Sequence, residues 1–232
     1  MRATLQGGVL NINPFDLGIA GGHATGTLRV DAARTPAEVA LDLELRGLRL
    51  DQFSLPGTQR VAGELRGRVA LRSHGDSIAA LAGAASGSLS AALIGATISN
   101  RLDAKLGLDG GGLLRALFTG TERVPVQCAA LVVDFKRGNG KTRHLLETER
   151  TALAGSGSVD LARESFDVVL TPHSKKSALF TLHKAMHVSG SFRDAKVALV
   201  DRGEAPRPDH CEIEGHIPVA QLAPGRRSEQ PR

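Results

Sequence analysis

The sequence predicts an all-β-dominant chain: a long curved antiparallel sheet, either a β-groove or an open sandwich, with one or two short helices. Three observations carry this. Apolar and polar residues alternate with period two through most of the chain, which puts each set on its own face of a strand. The strands are short and closely spaced, and the crossover helices that parallel pairing needs are missing. Glycines interrupt the strands, some of them on the apolar face, where they leave room or mark a bend.

Residues 3–31 read as short strands broken at Gly7-Gly8, Asn13-Pro14 and Gly21-Gly22. Residues 37–50 alternate most cleanly. Val39, Leu41, Leu43 and Leu45 share one face, and Glu38, Asp42, Glu44 and Arg46 the other. Helical spacing would scatter these leucines around a cylinder. Residues 60–72 repeat the form, with Val61, Gly63, Leu65, Gly67, Val69 and Leu71 on one side. Gly75-Asp76-Ser77 caps a short helix over 78–82. Residues 88–98 form a further strand. The 101–119 stretch predicts a helix split by Gly110-Gly-Gly112.

Residues 124–135 give another strand, with Val126, Cys128, Ala130 and Val132 together and Gln127 and Leu131 opposite. Residues 136–141 turn the chain, and 145–154 lead into the clearest hairpin. There Val159 and Leu161, then Phe166, Val168 and Leu170, line one face around the turn Ala162-Arg163-Glu164. Thr171-Pro172 is expected to stop the second strand, because proline cannot donate to a ladder. Residues 173–184 read as a basic loop, and 187–192 and 196–200 as the last strands. The chain divides into a β domain over 1–200 and a disordered, Pro- and charge-rich tail over 201–232.

Of the 232 residues, 41% are hydrophobic; there is no Trp or Tyr and only 7 Phe, so apolar surface is lined by Leu, Val, Ile and Ala. A formal charge of +5 suits acidic partners. Nucleic acid is not expected, because single-strand readers stack bases on aromatic side chains. Cys128 and Cys211 make no disulfide framework, and their pairing stays open. No apolar run approaches the roughly 18 residues of a membrane span, and no signal peptide is evident. The chain opens mid-pattern, which leaves open whether it is a fragment of a longer protein.

Reactive constellations are weak. His183 and His187 stand at i and i+4, without the glutamate of a metalloprotease helix. His210, Cys211 and His216 lack a flanking ligand pattern. Gly7-Gly8 and Gly110-Gly-Gly112 lack the Lys-Ser/Thr of a phosphate loop, and Gly155-Ser-Gly-Ser158 lacks nucleophile-elbow order. No catalytic residue, metal site or cofactor is expected, and the chain is read as no enzyme. The basic cluster of Lys175, Lys176, Lys184, Arg193 and Lys196 gives headgroup-contact candidates, each worth about 1 kcal/mol beside an anionic membrane. A solvated basic loop is the plainer reading.

The order Gly155-Ser-Gly-Ser-Val-Asp-Leu161, Phe166-Asp-Val-Val-Leu-Thr-Pro172, Val188-Ser-Gly-Ser-Phe192 resembles the C-terminal region of the AsmA family of bacterial envelope proteins. Upstream, Leu45-Arg-Gly-Leu-Arg-Leu50, Gly63-Glu-Leu-Arg-Gly67, Asp76-Ser-Ile-Ala-Ala-Leu81 and Gly87-Ser-Leu-Ser90 are similar to it too. The resemblance covers roughly residues 5–200. Asp194-Ala195 stands where that family commonly has a proline, and the family's N-terminal membrane helix is absent here.

The resemblance implies the periplasm, with inner-membrane association of the full-length family, and kinship to groove-shaped lipid-transfer proteins. The expected function is therefore non-enzymatic: binding or transferring phospholipid between inner and outer membrane. The lipid-groove candidates are Val39, Leu41, Leu43, Leu45, Leu65, Val69, Leu71, Val159, Leu161, Phe166, Val168 and Leu170. Phospholipid or a membrane surface is the expected partner. The alternative is an interaction scaffold that assists outer-membrane protein assembly and binds no lipid.

Overall fold

The structure is a computed structural model that describes residues 2–52, 62–99, 123–149, 151–174 and 184–201. These build one antiparallel sheet of twelve strands, open and curved, in which spatial order follows chain order. The strands are β1 (Ala3–Gln6), β2 (Val9–Ile19), β3 (Gly22–Asp31), β4 (Glu38–Arg49), β5 (Ala62–His74), β6 (Ser86–Ser99), β7 (Arg123–Lys136), β8 (Asn139–Thr148), β9 (Thr151–Asp160), β10 (Ser165–Ser174), β11 (Lys184–Ser191) and β12 (Ala195–Asp201). One α-helix among the described residues, α1 (Ile78–Ala84), joins β5 to β6. The Ser77 side chain caps it by accepting a hydrogen bond from the Ala80 amide at 3.1 Å. The all-β expectation holds.

Local chemistry explains the connections. Between β7 and β8 the chain reverses in two residues, Arg137 and Gly138, both at positive φ (49° and 75°). That backbone suits the twist of a tight hairpin. Neighbouring turns are tied together. The Gly138 amide donates to the Ala85 carbonyl at 2.8 Å, Leu161 to Gly138 at 2.9 Å, and Phe192 to Glu164 at 2.8 Å.

Residues opposed across antiparallel strands point to the same side. One row therefore runs Leu28, Leu41, Leu71, Gly87, Phe135, Gly140, Val159 and Phe166 from β3 to β10. The next runs Leu43, Val69, Leu89, Val133, Thr142, Gly157, Val168 and Val188 from β4 to β11. The opposite face is mostly polar over β3–β5, with ion pairs Arg68–Asp42 at 3.0 Å and Arg46–Glu44 at 2.7 Å. Exposed pairs contribute little stability, about 0–1 kcal/mol each. Their effect is to keep that face wet.

Bulges keep the aliphatic face continuous. Register shifts fall between Ile12 and Phe15 and between Leu45 and Leu48, and each holds two apolar residues three apart on the same side. Close packing at glycines follows from the curvature. A Cβ at Gly140 would lie 2.6–2.8 Å from Val133, Val159 and Phe135 side-chain carbons, so the neighbours lean over a floor without side chains.

Several details differ from the sequence reading. β10 does not stop at Thr171-Pro172 but continues to Ser174, with Pro172 opposite Leu153. The register with β11 ends at the Leu170–Met186 pair, so the proline sits where β10 has lost its second neighbour. Residues 145–154 divide between β8 and β9. A register shift between Val126 and Cys128 turns Val126 to the aliphatic side, away from Cys128, Ala130 and Val132. Leu161 lies in the β9–β10 turn rather than on a strand. His173 and Ser174 belong to β10 rather than to a loop. The 101–119 helix and the tail beyond Asp201 lie outside the described residues.

A Cβ at Gly157 would lie 2.6 Å from Val168 Cα and also meet the Asp167 carbonyl, whereas one at Gly18 meets nothing within 4 Å. Gly157→Ala is expected to lower unfolding stability by about 1–3 kcal/mol. Gly18→Ala should change it by less than about 1 kcal/mol. Urea denaturation of both variants checks this, and an unchanged midpoint for Gly157→Ala would remove the close-approach argument.

Candidate functional site

The aliphatic face is the site. Its outline follows from parity on each strand, and its partial exposure from the half-buried leucines and valines of β4 and β5. The twelve groove candidates fall into two banks. Val39, Leu41, Leu43 and Leu45 on β4 join Leu65, Val69 and Leu71 on β5. Val159 on β9 joins Phe166, Val168 and Leu170 on β10, with Leu161 at the turn beside them. All twelve are half-buried: none is sealed in a core, and none stands free in solvent.

Between the banks lie β6, β7 and β8, which the sequence reading left out. Leu89, Ala91 and Leu93 continue the face on β6, and Leu131, Val133 and Phe135 continue it on β7. Leu131 is 37% exposed, while Val133 and Phe135 are buried. The alternation Ser88, Leu89, Ser90 was a usable signal for β6. For β8 there was none, because Thr142 and His144 sit where an apolar residue would have announced the face.

The headgroup candidates are not brought to this trough as a group. Arg193 is exposed in the β11–β12 turn, and Lys196 is exposed on the opposite face, across from Ser189. Lys184 opens β11. Lys175 and Lys176 lie outside the described residues. The exposed Phe192 stacks on Phe166 with ring centroids 6.4 Å apart, closing the turn end of the second bank.

The His183–His187 spacing has no helical meaning here, because His187 lies on strand β11. Its Nε2 is 2.9 Å from Asp167 Oδ1 on the polar face. Among the described residues no three His, Cys, Asp or Glu converge as a metal site would require. Cys128 is disulfide-bonded; Cys211, the chain's other cysteine, lies outside the described residues.

Two electrostatic features mark the two faces. On the polar face, the hydrogen bond from Arg46 holds the Glu44 carboxyl below its ordinary range, against a smaller opposing effect of burial. On the trough face, burial pushes the His144 imidazole below its ordinary value of 6.5, and the nearby Val169 carbonyl opposes this. His144 stands between Leu131 and Gly155 in its row, so no anionic side chain in that row repays a charge.

The folded chain therefore resists protonating His144 more than the unfolded chain does. Stability is full above about pH 6.5, the unfolded value, and is lost as pH falls from there toward the depressed folded value. Comparing wild type with His144→Leu between pH 7.5 and 5 by thermal melting, the expected outcome is a shallower acid loss in the variant. Identical slopes would show that His144 carries no such penalty.

Comparison with known proteins places this geometry. No solved structure matches the chain. The AsmA family protein YhjG of Escherichia coli (strain K12) is 27% identical over 199 residues, which cover 84% of this chain and 29% of that protein. The chain thus spans less than a third of the length of this curated relative. The AsmA family model matches residues 2–145, more than half of the chain, and ends before the 155–172 segment with which the sequence resemblance began. The chain belongs to the AsmA family.

Proposed function

We propose that this chain binds acyl lipid along its aliphatic trough and works without catalysis in phospholipid movement across the bacterial envelope. One observation carries the reading: an aliphatic face continuous from strand to strand, whose leucines and valines over β4 and β5 stay half-buried. In a closed sandwich these positions would be dry core. Here they remain within reach of a flexible hydrocarbon, and each methylene that leaves water on them gains about 0.8 kcal/mol. A trough lined by Leu, Val and Ala, with no Trp or Tyr in the chain, offers acyl chains no hydrogen bonds to hold them in one register. That suits passage as well as binding.

Two further features support an envelope setting. The disulfide at Cys128 suits an oxidising compartment such as the periplasm. Family membership, with the envelope role the family implies, points the same way. No helix among the described residues is long and apolar enough to cross a membrane.

The purified chain, extracted with organic solvent and examined by mass spectrometry, is expected to yield phospholipid. Leu43→Asp or Val69→Asp, each placing a charge on the trough floor, should reduce recovered lipid by roughly tenfold or more. Ser156→Asp, exposed on the polar face opposite Arg143, should leave it unchanged. A lipid-free sample that still captures a barrel-assembly protein would overturn lipid binding in favour of a scaffold.

A further inference from the structure

Among the described strands, β8 alone carries polar side chains at the centre of its trough face. Thr142 and His144 are two residues apart and share that face. Thr142 opposes Val133 and Gly157, and His144 opposes Leu131 and Gly155. Thr142 is only 7% exposed. Its Oγ1 is shielded from water and finds no hydrogen-bond partner, while the buried His144 ring beside it has the Val169 backbone carbonyl as its hydrogen-bond acceptor. A hydroxyl left so is destabilising, and a valine of the same shape would avoid that penalty. Strand formation does not demand the residue, since valine is as good a strand former as threonine.

The β9 side of these residues is stripped. Gly155 and Gly157 stand opposite them, and a Cβ at Gly155 would run into the His144 ring. What remains above Gly157 is the Val168 side chain, a rotatable apolar cover. An unsatisfied hydroxyl and a buried imidazole thus sit beside a gap in side-chain cover, in the middle of an otherwise aliphatic surface.

We propose that Thr142 and His144 form a polar subsite in the trough that hydrogen-bonds the ester carbonyls of a bound diacyl lipid. The subsite rests on the lipid-binding reading above and adds to it the part of the lipid that is recognised. Ester carbonyls are the acceptors at the junction of chain and headgroup, so an apolar trough meets them wherever the chains begin. The threonine hydroxyl donates, and the single N–H of the neutral imidazole, held by the Val169 carbonyl in the free chain, is the second donor. From β8 to β3 the trough runs five strand spacings, about 24 Å along the sheet. The chains would lie there, over Leu71, Leu41 and Leu28.

The test compares binding of a diacyl phosphatidylglycerol with that of its dialkyl ether counterpart, which has the same chains and headgroup but no carbonyls. The full chain is used, with native mass spectrometry as the readout. Wild type should prefer the ester lipid by roughly three- to tenfold. Thr142→Val should bring that ratio near one with ether-lipid binding unchanged, and Thr142→Ser, which keeps the hydroxyl, should retain it. His144→Leu should lose part of the preference, and His144→Gln, which keeps a donor, should hold it. Thermal midpoints of all four variants identify any that fail to fold, and the serine and glutamine forms then carry the comparison. Equal binding of both lipids by wild type, or an unchanged preference in Thr142→Val, overturns the subsite and leaves the trough standing. Binding of neither lipid overturns both.

Discussion

Parity governs this molecule. Each strand pairs with the strands before and after it in the chain, so the side on which a residue stands is counted off from its neighbours. A slip of one residue on one strand would turn its leucines to the wet side and its charges to the aliphatic side. The rows from Leu28 to Phe166 and from Leu43 to Val188 exist because that count is kept across eight consecutive strands in each case. Where the alternation of apolar residues loses step, a bulge restores it. The shifts at Ile12–Phe15 and Leu45–Leu48 do this on adjoining parts of the sheet. Aliphatic continuity is thus a property of the register and not of any one strand.

Curvature is the second constraint, and glycine supplies it. Gly140 and Gly157 lie on the trough face where neighbouring side chains lean inward, and neither has room for a Cβ. The same crowding buries Val133 and Phe135 on β7, while Leu41 and Leu43 on β4 stay half-buried. The aliphatic surface is therefore tight over β7–β9 and more open over β4–β5. His144 lies in the tight part, which is why burial dominates its ionisation.

Much of this was legible in the sequence. The leucines of β4 and β5 and the apolar residues of the β9–β10 hairpin show their face directly, because polar and apolar residues alternate there without interruption. The spacing of three between Leu45 and Leu48 carried the bulge, once the intervening Gly47 is taken as the residue that permits it: its φ is 69°. The cap at Ser77 was readable for a similar local reason. β8 was not legible. Asn139-Gly-Lys-Thr-Arg-His144 has no apolar period, so its orientation comes only from pairing with β7 and β9. Thr142 and His144 were missed for that reason. Pro172 misled because the rule against proline applies to a strand paired on both sides, and β10 has already parted from β11 there.

The sequential order of the strands has a consequence for how such a protein can change. Among the described residues no strand bridges distant parts of the chain, and β1 and β12 do not pair. The sheet therefore lacks a keystone: its cohesion is a sum over adjoining ribbons, as in a stack of repeats. A hairpin inserted or deleted as a unit lengthens or shortens the span by two ribbons and leaves every other parity unaltered. Reach becomes a quantity that evolution can adjust in steps of about 10 Å, without redesigning the surface over which anything travels.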